Sequence, residues 1–295
     1  MKITCAILCY NYGRYLNASI ESCIAQTDGD YELEIIVIDD GSTDDTPDVC
    51  QSFGEKIVIY RSDNEGFAAS LTKAVSYATG DYICFLDADD IFEKNKIITL
   101  LPFIRQGYLF ITHQQAYIDN NGTVISQNKG GGNTSTIIIK RVAALTLLPA
   151  ENELFFHPLL DTGNGISLPD SLSRYRFHTN NMTNRDTPGS WYLYLSKMTH
   201  NLTTMLTSRK HDFFWTNPGK LSPIIRKYRS ISHYEAMESF VQLDKRNEVF
   251  VSGLRMFCCA LFSQGGITSW HLKVFFRCFI QMRTLSEYRT MRKDK

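Results

Sequence analysis

Three carboxylates fall within four residues at Asp87-Ala88-Asp89-Asp90, directly after the apolar run Tyr82-Ile83-Cys84-Phe85-Leu86. The run has β-branched and aromatic members and follows Gly80-Asp81, the pattern of a buried strand. A strand covered on both faces that ends in clustered acids delivers negative charge to the edge of a sheet. That charge is costly unless a cation or a substrate uses it. Asp87 and Asp89 are therefore the pair expected to hold a divalent metal.

Two further strands end the same way. Ile3 to Cys9 leads into Tyr10-Asn11-Tyr12-Gly13, and Leu33 to Ile38 leads into Asp39-Asp40-Gly41-Ser42-Thr43-Asp44-Asp45. The elements needed to bring these ends together are legible. Helices are expected from about Tyr15 to Gln26, from Ser42 to about Phe53 and from Gly66 to Ala78, with a third strand at Lys56 to Arg61. Ser42 with Asp45 three residues on resembles a capping box. Strand–helix alternation with near-continuous apolar strands predicts a mainly parallel sheet flanked by helices. In such sheets ligands bind at the carboxyl ends of the strands.

The texture changes beyond position 100. Ala116 to Ile125 reads as a hairpin with Asn121-Gly122 fitting a type I′ turn, and Gly130-Gly131-Gly132 as a flexible loop. Ile137-Ile138-Ile139 is a strand, Ala150 to Leu160 a helix broken by Asp161-Thr162-Gly163. From about Trp191 the chain reads as mostly helical, aromatic and basic. Residues 1–203 carry 15 basic and 24 acidic side chains, a net −9, whereas residues 204–295 carry 16 and 7, a net +9. Such asymmetry suggests an anionic partner for the tail. Within it, Val274, Phe275, Cys278, Phe279 and Met282 fall on one face of a basic amphipathic helix. A helix simply packed on its domain would show the same spacing.

With 43% hydrophobic and 21% charged residues, the chain has the composition of an ordinary globular protein. The eight cysteines form no C-x-x-C pair and sit mostly in apolar stretches, which suggests a reducing compartment without a disulfide framework. No signal peptide and no stretch of membrane-spanning length is evident. The expected location is the cytoplasm, with the tail as a peripheral contact on the inner face of the cytoplasmic membrane.

In this order and spacing, four elements resemble the family 2 glycosyltransferases of the GT-A fold. They are Cys9-Tyr10-Asn11 with Tyr15-Leu16; Val37-Ile38-Asp39-Asp40-Gly41-Ser42-Thr43-Asp44; Asn64-Glu65-Gly66 through Gly80-Asp81; and Phe85-Leu86-Asp87-Ala88-Asp89-Asp90. The Arg174-Tyr175-Arg176-Phe177-His178 segment with Asn180-Asn181 resembles the family's second half more loosely. The resemblance implies a Rossmann-like, mainly parallel sheet flanked by helices, with a helical C-terminal extension. It divides the chain into a nucleotide-sugar-binding half over 1–115, an acceptor-binding half over 116–205 and a basic extension over 206–295.

It also implies a nucleotide-diphosphate sugar donor, a Mg²⁺ or Mn²⁺ ion acting as Lewis acid on the diphosphate, and inversion at the anomeric carbon. Asp89 is the expected metal ligand of the D-x-D motif, with Asp87 acting through water or the ribose. An EF-hand is excluded, because the sixth and twelfth positions counted from Asp87 are Phe92 and Ile98. A dehalogenase-type D-x-D-x-T/V nucleophile is excluded by Ile91 and by the late position of the strand.

Asp39 or Asp40, the latter preferred, would meet the base or ribose. Tyr10 would stack on or flank the base, Asn11, Asn64 and Gly66 would line the donor, and Arg176 and His178 would reach the diphosphate or acceptor. The general base that inversion requires maps to Glu151, then Glu153, then Asp161. Each residue also has a plainer reading: a turn before a helix for Asp40-Gly41-Ser42, a core aromatic for Tyr10, first-turn acids for the glutamates.

This chain departs from the family at Leu8-Cys9, at Thr72 and Ala74, and at Glu151-Asn152-Glu153, which replaces the usual base motif. The expected reaction is hexosyl or N-acetylhexosaminyl transfer, from a UDP-sugar in preference to GDP or dTDP donors. The expected acceptor is a glycan or lipid-linked glycan of a surface polysaccharide, with no nucleic acid partner. The altered base motif motivates a rival, a non-catalytic sugar-nucleotide binding protein. A nucleotidyltransferase would instead open with a Gly-rich loop that Tyr10-Asn11-Tyr12-Gly13 does not supply.

Overall fold

A computed structural model describes residues 1–27, 29–178, 181, 189–209, 212–243, 245–263 and 266–274. The chain divides into two compact units, Met1–Thr179 and Asn180–Lys295.

The first unit is built on one nine-stranded sheet. Its strands are β1 (Lys2–Cys9), β2 (Glu32–Asp39), β3 (Val58–Arg61), β4 (Tyr82–Asp87), β5 (Ile91–Phe92), β6 (Phe110–Ile118), β7 (Val124–Lys129), β8 (Ile137–Lys140) and β9 (Gly165–Arg176). The helices of this unit are α1 (Gly13–Ile24), α2 (Thr46–Ser52), α3 (Phe67–Tyr77), α4 (Lys96–Arg105), α5 (Arg141–Thr146) and α6 (Pro158–Asp161). The sheet order is β3-β2-β1-β4-β8-β6-β9-β5, with β7 paired to β6. The first four strands run parallel, and the apolar runs of β1, β2 and β4 fit strands covered on both faces, whereas β3 at the sheet edge is mostly exposed. β8 turns antiparallel against β4, and β6 and β9 run parallel to each other.

Burial on both faces explains the sheet's composition. Ile3, Cys5, Ile7 and Cys9 of β1 pack with Leu16, Ile20 and Cys23 of α1 and with Ile97, Leu100 and Ile104 of α4. The alternate residues face α3, whose Leu71, Ala74 and Val75 are fully buried. Cys5, Cys9, Cys23, Cys50 and Cys84 are buried free thiols, small apolar side chains in a core.

Local detail differs from expectation where side chains compete for backbone groups. Ser42 does not cap α2, whose N-cap residue Asp45 makes no side-chain cap bond. Asp44 Oδ1, one residue before it, accepts from Thr46 N at 3.1 Å, while Ser42 Oγ accepts from Asn11 N. The β6–β7 turn is not type I′, which needs two left-handed residues. Only Gly122 has positive φ, because Asp119 Oδ1 accepts from both Asn121 N and Thr123 N. Gly130-Gly131-Gly132 is not a free loop. A Cβ on Gly131 would lie 1.8 Å from His113 O, and Gly132 bonds Thr136 Oγ1 and His157 Nε2. The helix expected over Ala150 to Leu160 is instead a 3₁₀ turn at Glu153–Phe156 followed by α6. Asn152 caps that turn through Leu154 N, and Pro158 has no N–H with which to continue it.

The second unit is helical, with α7 (Ser190–Ser208), α8 (Pro218–Gln242) and α9 (Arg246–Leu261). Its interior combines Leu202, Leu206, Leu221, Ile224 and Met256 with buried polar contacts such as Thr199 Oγ1 on Glu235 Oε2 at 2.8 Å. Val274 is buried in a cluster with Met237, Val249 and Met256. The rest of the expected amphipathic face, Phe275, Cys278, Phe279 and Met282, lies outside the described residues, as does Asn180. Among the described residues no helix is long and apolar enough to cross a membrane.

Candidate active site

Parallel pairing aligns Leu8 with Asp87 and Cys9 with Asp39, so the ends of β1, β2 and β4 share one sheet edge. The loops that leave this edge are tied to one another. Asn11, at φ 57°, donates its N–H to Ser42 Oγ at 2.9 Å and accepts from Thr43 N at 2.8 Å. Asparagine tolerates this left-handed conformation better than most side chains. Gly13 N donates to Asp44 Oδ2 at 2.9 Å, and a Cβ there would meet Asp45 Oδ1 at 2.1 Å. Only glycine permits that approach.

The two acids after β2 have distinct partners. Asp39 Oδ1 accepts from Ser42 N at 2.9 Å, and its Oδ2 lies 3.4 Å from Arg61 Nε. Asp40 is 4% exposed and receives Glu65 N at 2.9 Å and Gly66 N at 2.8 Å, one on each oxygen. It thereby fastens the end of β2 to the start of α3. Gly66 has φ 89° and ψ 170°, a region nearly confined to glycine, and the space beyond its absent Cβ is open. Asn64, two residues before it, is exposed, as is Tyr10 at the end of β1, by 44%.

The acid cluster after β4 is clamped from three sides. Ser19 Oγ of α1 donates towards Ala88 O and Asp90 O at 2.7 and 2.6 Å. Arg176 N donates to Asp90 Oδ1 at 2.9 Å and Arg176 Nε to Asp89 O at 2.8 Å. The same guanidinium reaches Asp119 O and Asn120 O and lies over the Tyr15 ring. The structure thus places Arg176 in the frame of the loop, with these contacts turned inward. His178 Nε2 lies 2.8 Å from Asp89 Oδ2, and its ring stacks on Tyr15 at 5.2 Å and meets Tyr12 edge-on. Its side chain is 2% exposed. Asp89 and His178, 89 residues apart in sequence, therefore form one polar pair.

Charge is concentrated here. Burial, reinforced by Asp90, Asp89 and Glu153, raises the Asp87 carboxyl well above the ordinary carboxylate range. Asp90 is raised by burial and by Asp89. Burial also raises Glu153. Among the described residues no three His, Cys, Asp or Glu side chains are grouped closely enough to hold a metal unaided.

The three carboxylates expected as bases are not equivalent. Glu153 opens the 3₁₀ turn after Asn152 and interacts electrostatically with Asp87, with Thr134 near both. Glu151 is half-buried two residues earlier. Asp161 ends α6, four residues before β9 starts at Gly165 opposite Phe110. That is the sheet edge where β4 begins, opposite the end that carries Asp87.

Sequence reasoning passed over Thr134-Ser135-Thr136, whose buried 3₁₀ turn supports the acids: Asp87 N donates to Ser135 Oγ at 3.0 Å. Three consecutive hydroxyl residues before an all-isoleucine strand were the available signal. It also passed over Lys96, a charged residue on the apolar face of α4, four residues from the fully buried Leu100.

Comparison with known proteins agrees with this geometry. The sequence model described as Glycosyl transferase family 2 matches residues 4–158, just over half of the chain. The chain is 33% identical over 122 residues to the Escherichia coli UDP-Glc:alpha-D-GlcNAc-diphosphoundecaprenol beta-1,3-glucosyltransferase WfaP, covering 40% of this chain and 47% of WfaP. It likewise spans less than two thirds of the length of other curated relatives. S. aureus TarS 1–349 in complex with UDP-GlcNAc superimposes with TM-score 0.65 at 17% identity, over 98% of this chain and 92% of that one. The Pyrobaculum calidifontis mannosyltransferase PcManGT, in complex with GDP-Man and Mn²⁺, does so with TM-score 0.56 at 13% identity, over 99% and 82%. The sheet, its acid-bearing strand ends and the family match together lead to one conclusion: the chain belongs to glycosyltransferase family 2 and has the GT-A fold.

Proposed function

We propose that this chain transfers a sugar, with inversion, from a UDP-sugar to a glycan acceptor carried on a lipid diphosphate. The observation that carries the reading is the placement of Asp87, Asp89, His178 and Glu153 around one end of β4, beside the loops of Asp40 and Gly66. The UDP-GlcNAc complex of TarS supports the donor class, and the printed activity of WfaP supports a lipid-linked acceptor.

The base and ribose of the donor would lie along Tyr10, Asn64 and Gly66. Asp40 keeps lone pairs beyond the two it uses on the backbone and can accept from the base. Asp39 acts behind it by fixing the Asp40-Gly41-Ser42 turn. Asp89, with His178 beside it, offers one carboxylate and one imidazole to a divalent cation, and Asp87 adds negative charge that burial and its neighbours hold at high energy. That donor set fits Mg²⁺ or Mn²⁺ completed by diphosphate oxygens. When bound, the cation supplies Lewis-acid stabilisation of the diphosphate leaving group; PcManGT is known with Mn²⁺.

Glu153 is the general base in this reading. It takes the proton of the acceptor hydroxyl as that oxygen bonds to the anomeric carbon. The bond from that carbon to the diphosphate breaks on the opposite face, and nucleoside diphosphate departs with the electron pair. A base works best with its pKa moved up towards the working pH, which is the direction burial gives Glu153. The test is release of nucleoside diphosphate from a panel of UDP-, GDP- and dTDP-sugars with Mn²⁺, an undecaprenyl-diphosphate glycan and an EDTA control. UDP release that needs both metal and acceptor is expected; no release from any donor would overturn the reading.

The net +9 of residues 204–295 supports a peripheral contact with an anionic membrane, where a lipid-linked acceptor is found. The halves at 1–115 and 116–205 keep their proposed roles as donor and acceptor sides.

A further inference from the structure

Lys96 opens α4 and is 0% exposed. Its ammonium lies 3.6 Å over the Phe92 ring, and Nζ donates to Ser135 O at 2.8 Å. Its electrostatic neighbours are the thiols of Cys84, Cys5 and Cys23 and the carboxylate of Asp90, and burial lowers it to about 8. His113 is near, but burial and Lys96 keep its imidazole well below the ordinary range, so it stays neutral. A buried ammonium is expensive, and an apolar side chain at this core position would pack without that cost.

The residue it holds explains its presence. Ser135 is the centre of the Thr134–Thr136 turn, every residue of which is at most 3% exposed. Ser135 Oγ receives Asp87 N at 3.0 Å, and Ser135 lies near the Asp90 carboxyl, whose Oδ1 is taken by Arg176 N. Thr134 lies near both Asp87 and Glu153, where its hydroxyl opposes the rise that burial gives each carboxyl. The carbonyl of the turn is thus anchored by Lys96, while its Ser135 hydroxyl holds the Asp87 backbone and the turn lies against Asp90 and Glu153.

We propose that Lys96 is a positioning residue for glycosyl transfer, its hydrogen bond to Ser135 O anchoring the turn that holds Asp87 in place beside Asp90 and Glu153. The kinetic part rests on the transfer proposed above; the anchoring part does not.

The test is Lys96→Met in the full chain, a change that fills similar volume without a donor. Hydrogen exchange of the segment 131–138 is followed together with steady-state transfer from the donor that the wild type uses. Exchange at 131–138 should speed by ~10-fold or more while the melting transition is retained. kcat should fall by ~10- to 100-fold, with donor KM within about threefold, as expected when reacting groups are misplaced. Exchange and kcat both within twofold of wild type would overturn the proposal and leave Lys96 as core filler. Should Lys96→Met fail to fold, Lys96→Gln decides, since its amide keeps one donor without the charge. Protection of the turn and kcat retained or lost together support the anchor; either one moving alone overturns it. If the wild type turns over no donor, the transfer reading falls, and exchange still decides the anchor.

Discussion

Replacing Glu153 by Gln removes a base and a half-buried acid at once, so stability and turnover should move in opposite directions. The carboxyl of Glu153 is raised by burial and stands in the field of Asp87. A raised carboxyl favours its protonated form in the folded protein. The stability it contributes is full below the unfolded value and is lost as pH rises through the folded one. Once pH passes the folded value the ionised side chain therefore works against folding, and the neutral amide does not. Glu153→Gln should melt no lower than wild type on the alkaline side of that titration.

Turnover should fall by ~10²- to 10⁴-fold, the usual worth of a general base, or about 3–5 kcal/mol of barrier. Affinity for UDP should stay within about threefold, because the base faces the acceptor. Glu151→Gln is the control and should keep kcat within about threefold. The assay is UDP release beside thermal melting of each variant. Full turnover in Glu153→Gln, or its loss in Glu151→Gln alone, would refute the assignment of the base.

Asp40 gives a prediction about the fold of the donor loop. Its carboxylate accepts two backbone N–H bonds at 2.9 and 2.8 Å, so Asp40→Ala should cost ~2–4 kcal/mol in urea unfolding, as charged hydrogen bonds of this kind do. A midpoint equal to wild type would show that the 65–66 backbone is satisfied without it. In the helical unit, burial raises Glu235 from the ordinary value to about 7. Its contribution is full below about 4.5 and is lost as pH rises through about 7. Glu235→Gln should flatten stability between pH 5 and 8 and gain on the order of 2–3 kcal/mol at pH 8. Parallel pH profiles for wild type and variant would contradict this.

The elements that carry the site were legible because their signals are local. Apolar runs that end in Asn11, in Asp39-Asp40 and in Asp87 to Asp90 mark both the strands and the edge they share. What joins the loops beyond those ends is not local. Asn11 meets Thr43, Gly13 meets Asp44, and Asp40 meets Gly66 across the edge of the sheet. Periodicity carries no trace of such contacts, so residues expected to touch the donor are partly occupied in holding its cradle. Arg176 shows the same limit: a motif gives its position, while the carbonyls of residues 89, 119 and 120 decide where its guanidinium turns. The sequence reading puts Glu151 ahead of Glu153, an order that the proposed base reverses. They lie two residues apart, and the difference arises from the Asn152 cap and the turn at Thr134, far away in sequence. Lys96 broke the apolar pattern of its helix, a visible anomaly whose reason lay at Ser135.

The central claim is that Asp89 and its His178 partner hold the metal–diphosphate end of a UDP-sugar donor. Calorimetric titration of UDP into wild type and Asp89→Asn, each with Mn²⁺ and with EDTA, tests it most directly. In wild type, Mn²⁺ should tighten binding by ~10-fold or more, and in Asp89→Asn the two titrations should coincide. Metal-dependent tightening that survives in Asp89→Asn would contradict the account.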